Sequence, residues 1–164
     1  MEQPVVREES LCGGRIKRSW HVVTDASGTE VWHGNYKLWH QNDQLMEEGD
    51  YVWGKKCGVW TSWHDNGVKA QQGLMLDGVD HGEWKYWRRD GSLAEVGHWK
   101  LGKPHGVWEV HLKSGRILVG EWRDGERWDG ECYTNGRYTK HVKAVLVCEG
   151  MLRQVFGIAD EDEA

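Results

Sequence analysis

The chain has 164 residues, with 21 Lys and Arg against 26 Asp and Glu for a formal net charge of −5. Asp160, Glu161, Asp162 and Glu163 account for most of that excess, so the body is nearly neutral and lacks the basic stripe with which a nucleic-acid binder displaces counterions from phosphate. One domain's length, no 18-residue apolar stretch, no signal-like amino terminus, and four scattered cysteines (Cys12, Cys57, Cys132, Cys148) without a Cys-x-x-Cys pair predict a single-domain cytoplasmic protein with reduced thiols.

In chain order, residues 1–32 read as a divergent amino-terminal cap, with a hairpin of Arg15–Val23 and Thr29–Trp32 around Asp25-Ala26-Ser27-Gly28. Residues 33–137 are periodic. Gly34, Gly58, Gly82, Gly106 and Gly130 recur every 24 residues, and three further glycine series keep the same step: Gly67, Gly91, Gly115; Gly49, Gly73, Gly97; and Gly54, Gly78, Gly102. Tyr36, Trp60, Trp84 and Trp108 supply an aromatic column in phase with them, and agreement across five columns marks a repeat protein. Gly120 and Gly125 arrive one residue early, which implies a deletion near 116–119 and a compensating insertion near 126–129.

Twenty-two glycines with two prolines suit tight turns, and Asp65-Asn66-Gly67 and Arg89-Asp90-Gly91 are hairpin-turn signals. Each unit therefore reads as one β-hairpin, for example Val59–His64 and Lys69–Met75. Stacked edge to edge, the hairpins predict an all-β fold, an elongated single antiparallel sheet that advances about 9.6 Å per unit. Such a sheet lacks a second layer, so the twelve tryptophans must serve as its core, in ladders of equivalent residues.

Trp60 and Trp63, like Trp84 and Trp87, are three positions apart and alternate onto opposite faces of a strand; either both faces carry aromatic rows or a bulge after the glycine brings them together. The longer row, Tyr36 to Trp108, is assigned to structure. The shorter row of Trp39, Trp63 and Trp87, ending at His111, is a candidate partner-facing patch together with Arg88 and Arg89. Trp32 and Trp128 read as plugs at the end rungs. The apolar stretch Val142–Ile158 supplies a distinct carboxy-terminal cap over residues 138–158, followed by an acidic tail at 159–164.

The unit Gly58-Val-Trp60-Thr-Ser-Trp63-His-Asp-Asn-Gly67, continued by Gly73, Asp77-Gly78 and His81-Gly82, resembles the MORN repeat, in the variant found in bacterial antitoxin-like and immunity proteins. The resemblance spans about residues 30–137 and implies β-hairpins in one extended sheet. It also implies a choice of functions: neutralisation of a cognate toxin in the bacterial branch, or scaffolding linked to membranes or filaments in the eukaryotic one.

Metal and catalytic chemistry are not expected. The aligned His33, Cys57, His81 and His105 are ligand types for zinc, but equivalent residues about 9.6 Å apart cannot converge on an ion that needs ligands at about 2.0–2.3 Å. A turn-stabilising role through imidazole hydrogen bonds suits them better. His64-Asp65 has the look of half an acid–base pair, yet no nucleophile motif or phosphate loop accompanies it, and Arg88-Arg89 stands in its place one repeat later. The expectation is a protein-binding module without cofactor or metal, most concretely an immunity protein; its alternative is a membrane- or filament-associated scaffold, disfavoured by the absence of a basic amphipathic segment.

Overall fold

Two kinds of turn alternate along the chain and impose its architecture. Trp53-Gly54, Asp77-Gly78, Leu101-Gly102 and Asp124-Gly125 each have positive φ at both residues, the type I′ pattern whose twist matches that of paired strands. The intervening turns are wider. In the one at 64–68 the Gly67 amide donates to the His64 carbonyl (2.9 Å) and the His64 amide to the Val68 carbonyl (2.8 Å), with Gly67 in the left-handed region. The same bonds recur at 40–44, where Asp43 (φ 65°) takes the glycine's place.

The computed structural model describes residues 3–10, 14–128, 132–134 and 137–139. The strands are β1 Val5–Ser10, β2 Ile16–Thr24, β3 Glu30–Trp39, β4 Leu45–Val52, β5 Lys55–Trp63, β6 Lys69–Leu76, β7 Val79–Trp87, β8 Leu93–Lys100, β9 Lys103–Pro104, β10 Gly106–His111, β11 Ile117–Arg123 and β12 Glu126–Trp128. They form one open antiparallel sheet in chain order, in which β8 pairs with both the short β9 and β10. Two further strands, β13 Cys132–Thr134 and β14 Arg137–Thr139, pair with each other. The stacked-hairpin sheet is thus the observed fold. Gly130, the cap at 138–158 and the acidic tail lie wholly or mostly outside the described residues.

Irregularities in the ladder account for two sequence features. Where β5 meets β4 the register jumps from Glu48 opposite Thr61 to Asp50 opposite Cys57, and the Gly58 inside this bulge has φ 75°. Gly34 and Gly82 occupy the same place in their own strands, so this glycine column marks a bulge. A second bulge closes each hairpin at its wide turn, skipping Met46, Ala70 and Ala94 opposite Trp39, Trp63 and Trp87. The last hairpin, β10 with β11, pairs without interruption from Gly106–Trp122 to His111–Ile117. The deletion near 116–119 is the loss of that bulge residue, and the tryptophan row ends in the same hairpin.

The register also settles the facing of the aromatics. Trp60 and Trp84 both stand opposite Gly73, on what we call the ladder face, whereas Thr61 stands opposite Gln72 on the reverse face. Trp63, three residues beyond Trp60, falls with Thr61. Both faces carry aromatic rows, and the bulges do not bring them together.

Each ladder tryptophan lies flat across the glycine of the preceding strand. A Cβ added to Gly49, Gly73 or Gly97 would sit 2.3, 2.1 and 2.1 Å from the indoles of Trp60, Trp84 and Trp108. The indole nitrogens then donate to the next carbonyls, those of Asp50 (3.2 Å), Leu74 (3.1 Å) and His98 (3.1 Å). Tyr36, Trp60, Trp84 and Met75 form the buried cluster. Trp32 departs from its expected role as an end plug: β1 and β2 continue the sheet beyond it, and its ring stacks on Tyr36 at 5.6 Å and meets Tyr51 edge-on at 4.8 Å. Trp128 is in β12, with its side chain outside the described residues.

Candidate protein-interaction surface

The two faces differ in what they leave to solvent. On the ladder face Trp60 and Trp84 are 3% and 5% exposed. On the reverse face Val59 is 58% and Leu74 40% exposed, and Val52, Leu76, Val79 and Val107 are exposed beside them.

Trp39, Trp63 and Trp87 stand on this reverse face, half-buried, at the ends of β3, β5 and β7 beside the wide turns. Lys69 Nζ lies 5.3 Å from the Trp87 ring centre and 3.1 Å from Gln72 Oε1, and Gln72 in turn donates to the Thr61 hydroxyl (3.0 Å). The row is therefore bordered by polar groups of the same face, with its rings in no stacking contact with one another.

Arg88 and Arg89 have different positions. Arg88 is half-buried and donates to the carbonyls of Leu93 (2.9 Å) and His111, tying its own turn to the next. His40 and His64 make the equivalent bonds two repeats and one repeat earlier, through Nε2 to the carbonyls of Trp63 (2.8 Å) and Trp87 (2.9 Å). This column stitches neighbouring hairpins and leaves the His64-Asp65 pair a structural explanation. Arg89 is exposed and paired with Asp65 of the preceding turn. Of the five residues, the three tryptophans stand on the reverse face beside the wide turns, Arg89 is exposed in one of those turns, and Arg88 is committed to holding it.

The opposite border carries residues the sequence reading passed over. Trp53 and Leu101 are exposed at the tips of type I′ turns, with φ of 49° and 51°. The left-handed region costs an ordinary side chain about 1–2 kcal/mol, and Asp77 and Asp124 occupy the same turn position in the neighbouring hairpins. The signal was present in the X-Gly column, where Trp and Leu stand in a place that favours Asp or Asn. His33, His81 and His105 act on these turns as expected, their Nδ1 atoms accepting long bonds from the amides of Trp53 (3.5 Å), Leu101 (3.5 Å) and Asp124 (3.4 Å).

The ladder face has a recess of about 120 Å³, lined in part by Glu47, Lys56, Met75 and Asp80 beside Trp60 and Trp84. Lys56 is bound to Glu47 at 2.7 Å and sits 3.7 Å over the Trp60 ring. Burial pushes the Asp80 carboxyl above its ordinary range, with Lys56 pulling the other way. Burial likewise pushes the Tyr51 hydroxyl up to about 12. These groups fill the space between ladder rungs and support the core.

No curated protein matches the chain. Among solved structures it is similar to a chain described as "Crystal structure of GtfA/B complex bound to UDP and GlcNAc", at 11% identity and a TM-score of 0.27, over 72% of this chain and 24% of that one. The chain thus spans about a quarter of that protein's length, and a likeness of this degree establishes no shared ligand. Residues 32–52 and 80–101, which take in most of the β3–β4 and β7–β8 hairpins with their wide turns, match the family model described as MORN repeat variant, a repeat that suggests a binding or scaffold module.

Proposed function

We propose that the protein is a non-enzymatic binding module, and more finely an immunity protein that engages a cognate toxin domain through its reverse face in the bacterial cytoplasm. The observation that carries this reading is the asymmetry of the sheet: one face buries its aromatics over glycines, and the other leaves tryptophan and aliphatic side chains available. Trp at such a surface supplies large contact area at low entropic cost, and Arg89 adds a charged rim.

Affinity-tagged protein recovered from the native host, analysed by mass spectrometry, tests it. The expected result is one stoichiometric partner bearing a toxin domain, lost when Trp63→Ala and Trp87→Ala are combined in a chain whose circular dichroism is unchanged. Retention of the partner by that variant would place the contact elsewhere. Recovery of lipid or envelope proteins, with salt-sensitive flotation on anionic vesicles, would favour the scaffold reading instead.

A further inference from the structure

Ring contacts on the ladder face run from Trp20 through Trp32, Tyr36 and Tyr51 to Trp60, and again from Trp84 through Tyr86 to Trp108 and Trp99. Among the described residues none joins Trp60 to Trp84. The repeat shows why. Tyr86 stacks on Trp84 at 6.2 Å and on Trp108 at 6.3 Å, and its column holds Ser62 one repeat earlier. Tyr51 meets Trp60 edge-on at 5.3 Å and Trp99 meets Trp108 at 5.4 Å, and between them their column holds Met75. The bridging rings are missing on both sides of the gap, and the recess of about 120 Å³ that remains between the side chains lies in their place.

Ser62, Gln71 and Asp80 line the recess beside Glu47, Lys56 and the two indoles. The preceding repeat shows what such a place accepts: Lys56 Nζ sits 3.7 Å over the Trp60 ring and is held by Glu47 at 2.7 Å. In the columns of Lys56 and Glu47 the next repeat has Asp80 and Gln71, beside Trp84. The indole and the oxygen acceptors recur, and the cation does not. Among the described residues the Asp80 carboxyl has no hydrogen bond or ion pair; Lys56 attracts it only at longer range, while burial raises it above its ordinary range. A half-buried carboxyl held against its own solvation at the wall of a cavity is a feature of binding sites.

We propose that the recess binds a guanidinium head group, that of an arginine side chain or of a small arginine-like cation, stacked on the Trp84 indole and donating to Asp80, Ser62 and Gln71. Guanidinium suits the place better than ammonium, because its planar fork spreads its donors over several acceptors and lies flat on an aromatic ring. The volume takes a head group and a few methylenes, well below the roughly 300–1,000 Å³ of a site for a drug-sized ligand. The site is on the ladder face and does not depend on the reverse-face contact proposed above.

Butylguanidinium, titrated into the full chain at constant ionic strength while the tryptophan indole N–H signals are followed by heteronuclear NMR, tests the site. The Trp84 signal should move most and saturate with a dissociation constant on the order of 1 mM, and the neutral isostere butylurea should leave it in place. Asp80→Asn, which keeps the shape of the recess, should weaken binding at least about tenfold. Ser62→Tyr, which restores the ring that Tyr86 supplies one repeat later, should do the same by filling the space. A capped Gly-Arg-Gly peptide that binds comparably assigns the head group to a protein's arginine; a peptide excluded while butylguanidinium binds assigns it to a free small molecule. Shifts that stay linear, equal shifts with butylurea, or binding indifferent to both substitutions would overturn the proposal.

Discussion

The ladder face and the reverse face are built by the same hairpins, and each carries tryptophan at a 24-residue spacing. On the ladder face the indoles of Trp60, Trp84 and Trp108 each have a glycine beneath them and a carbonyl at their nitrogen, so ring, backbone and register specify one another. On the reverse face Trp63 and Trp87 occur opposite bulges, and Trp87 borders Lys69. Equal periodicity therefore does not mean equal duty. What separates the rows is whether the neighbouring strand has been hollowed to receive the ring.

Filling the hollow is the sharpest way to break the contrast. Gly73→Ala places a methyl 2.1 Å from the Trp84 indole and should cost about 3 kcal/mol, at the upper end for overpacking, read by chemical denaturation. An Ala at Gly115, with nothing within 4 Å but φ 80°, carries backbone strain alone and should cost about 1 kcal/mol.

The recess on the ladder face gives a pH-dependent contrast. Since burial raises the Asp80 carboxyl, the folded chain holds that proton more tightly than the unfolded one. Its contribution is most favourable below the usual Asp range and is lost as pH rises through the folded value. Asp80→Asn should therefore be more stable than wild type at neutral pH, with the advantage shrinking in acid, as followed by thermal melts across pH. An advantage that grew in acid would reverse the assignment.

The smallest effect concerns the wide-turn border. His64→Ala removes one hydrogen bond to the Trp87 carbonyl and should cost about 1 kcal/mol, whereas His64→Arg should recover most of it, because Arg88 makes the equivalent bond to His111. Hydrogen exchange at the 64–68 turn would detect the difference.

The repeat, the hairpins and the structural role of the longer aromatic row were legible because glycine and tryptophan columns report backbone demands that few other residues meet. The deletion near 116–119 was legible as a loss of one residue; that it removes a bulge required the register. β1 was missed because Val5–Ser10 is short, charged and outside the period, and its pairing with β2 depends on tertiary contact. Missing β1 in turn made Trp32 look terminal. The column role of Arg88 depends on its bond to the carbonyl of the next turn, a tertiary contact that the repeat spacing does not reveal. Trp53 and Leu101 are not legible as a column, because the glycine of each X-Gly turn carries the period while the residue before it varies among Trp, Asp and Leu.

Trp84 and Trp87 lie on one strand, three residues apart, and comparing their alanine variants tests the division of duty most directly. Trp84→Ala should lose about 3–5 kcal/mol of unfolding free energy, the cost of emptying a buried tryptophan site. Trp87→Ala should lose about 1 kcal/mol or less, its half-exposed ring forfeiting mainly the contact with Lys69. Equal losses from the two would mean that both rows are core, and would contradict the account.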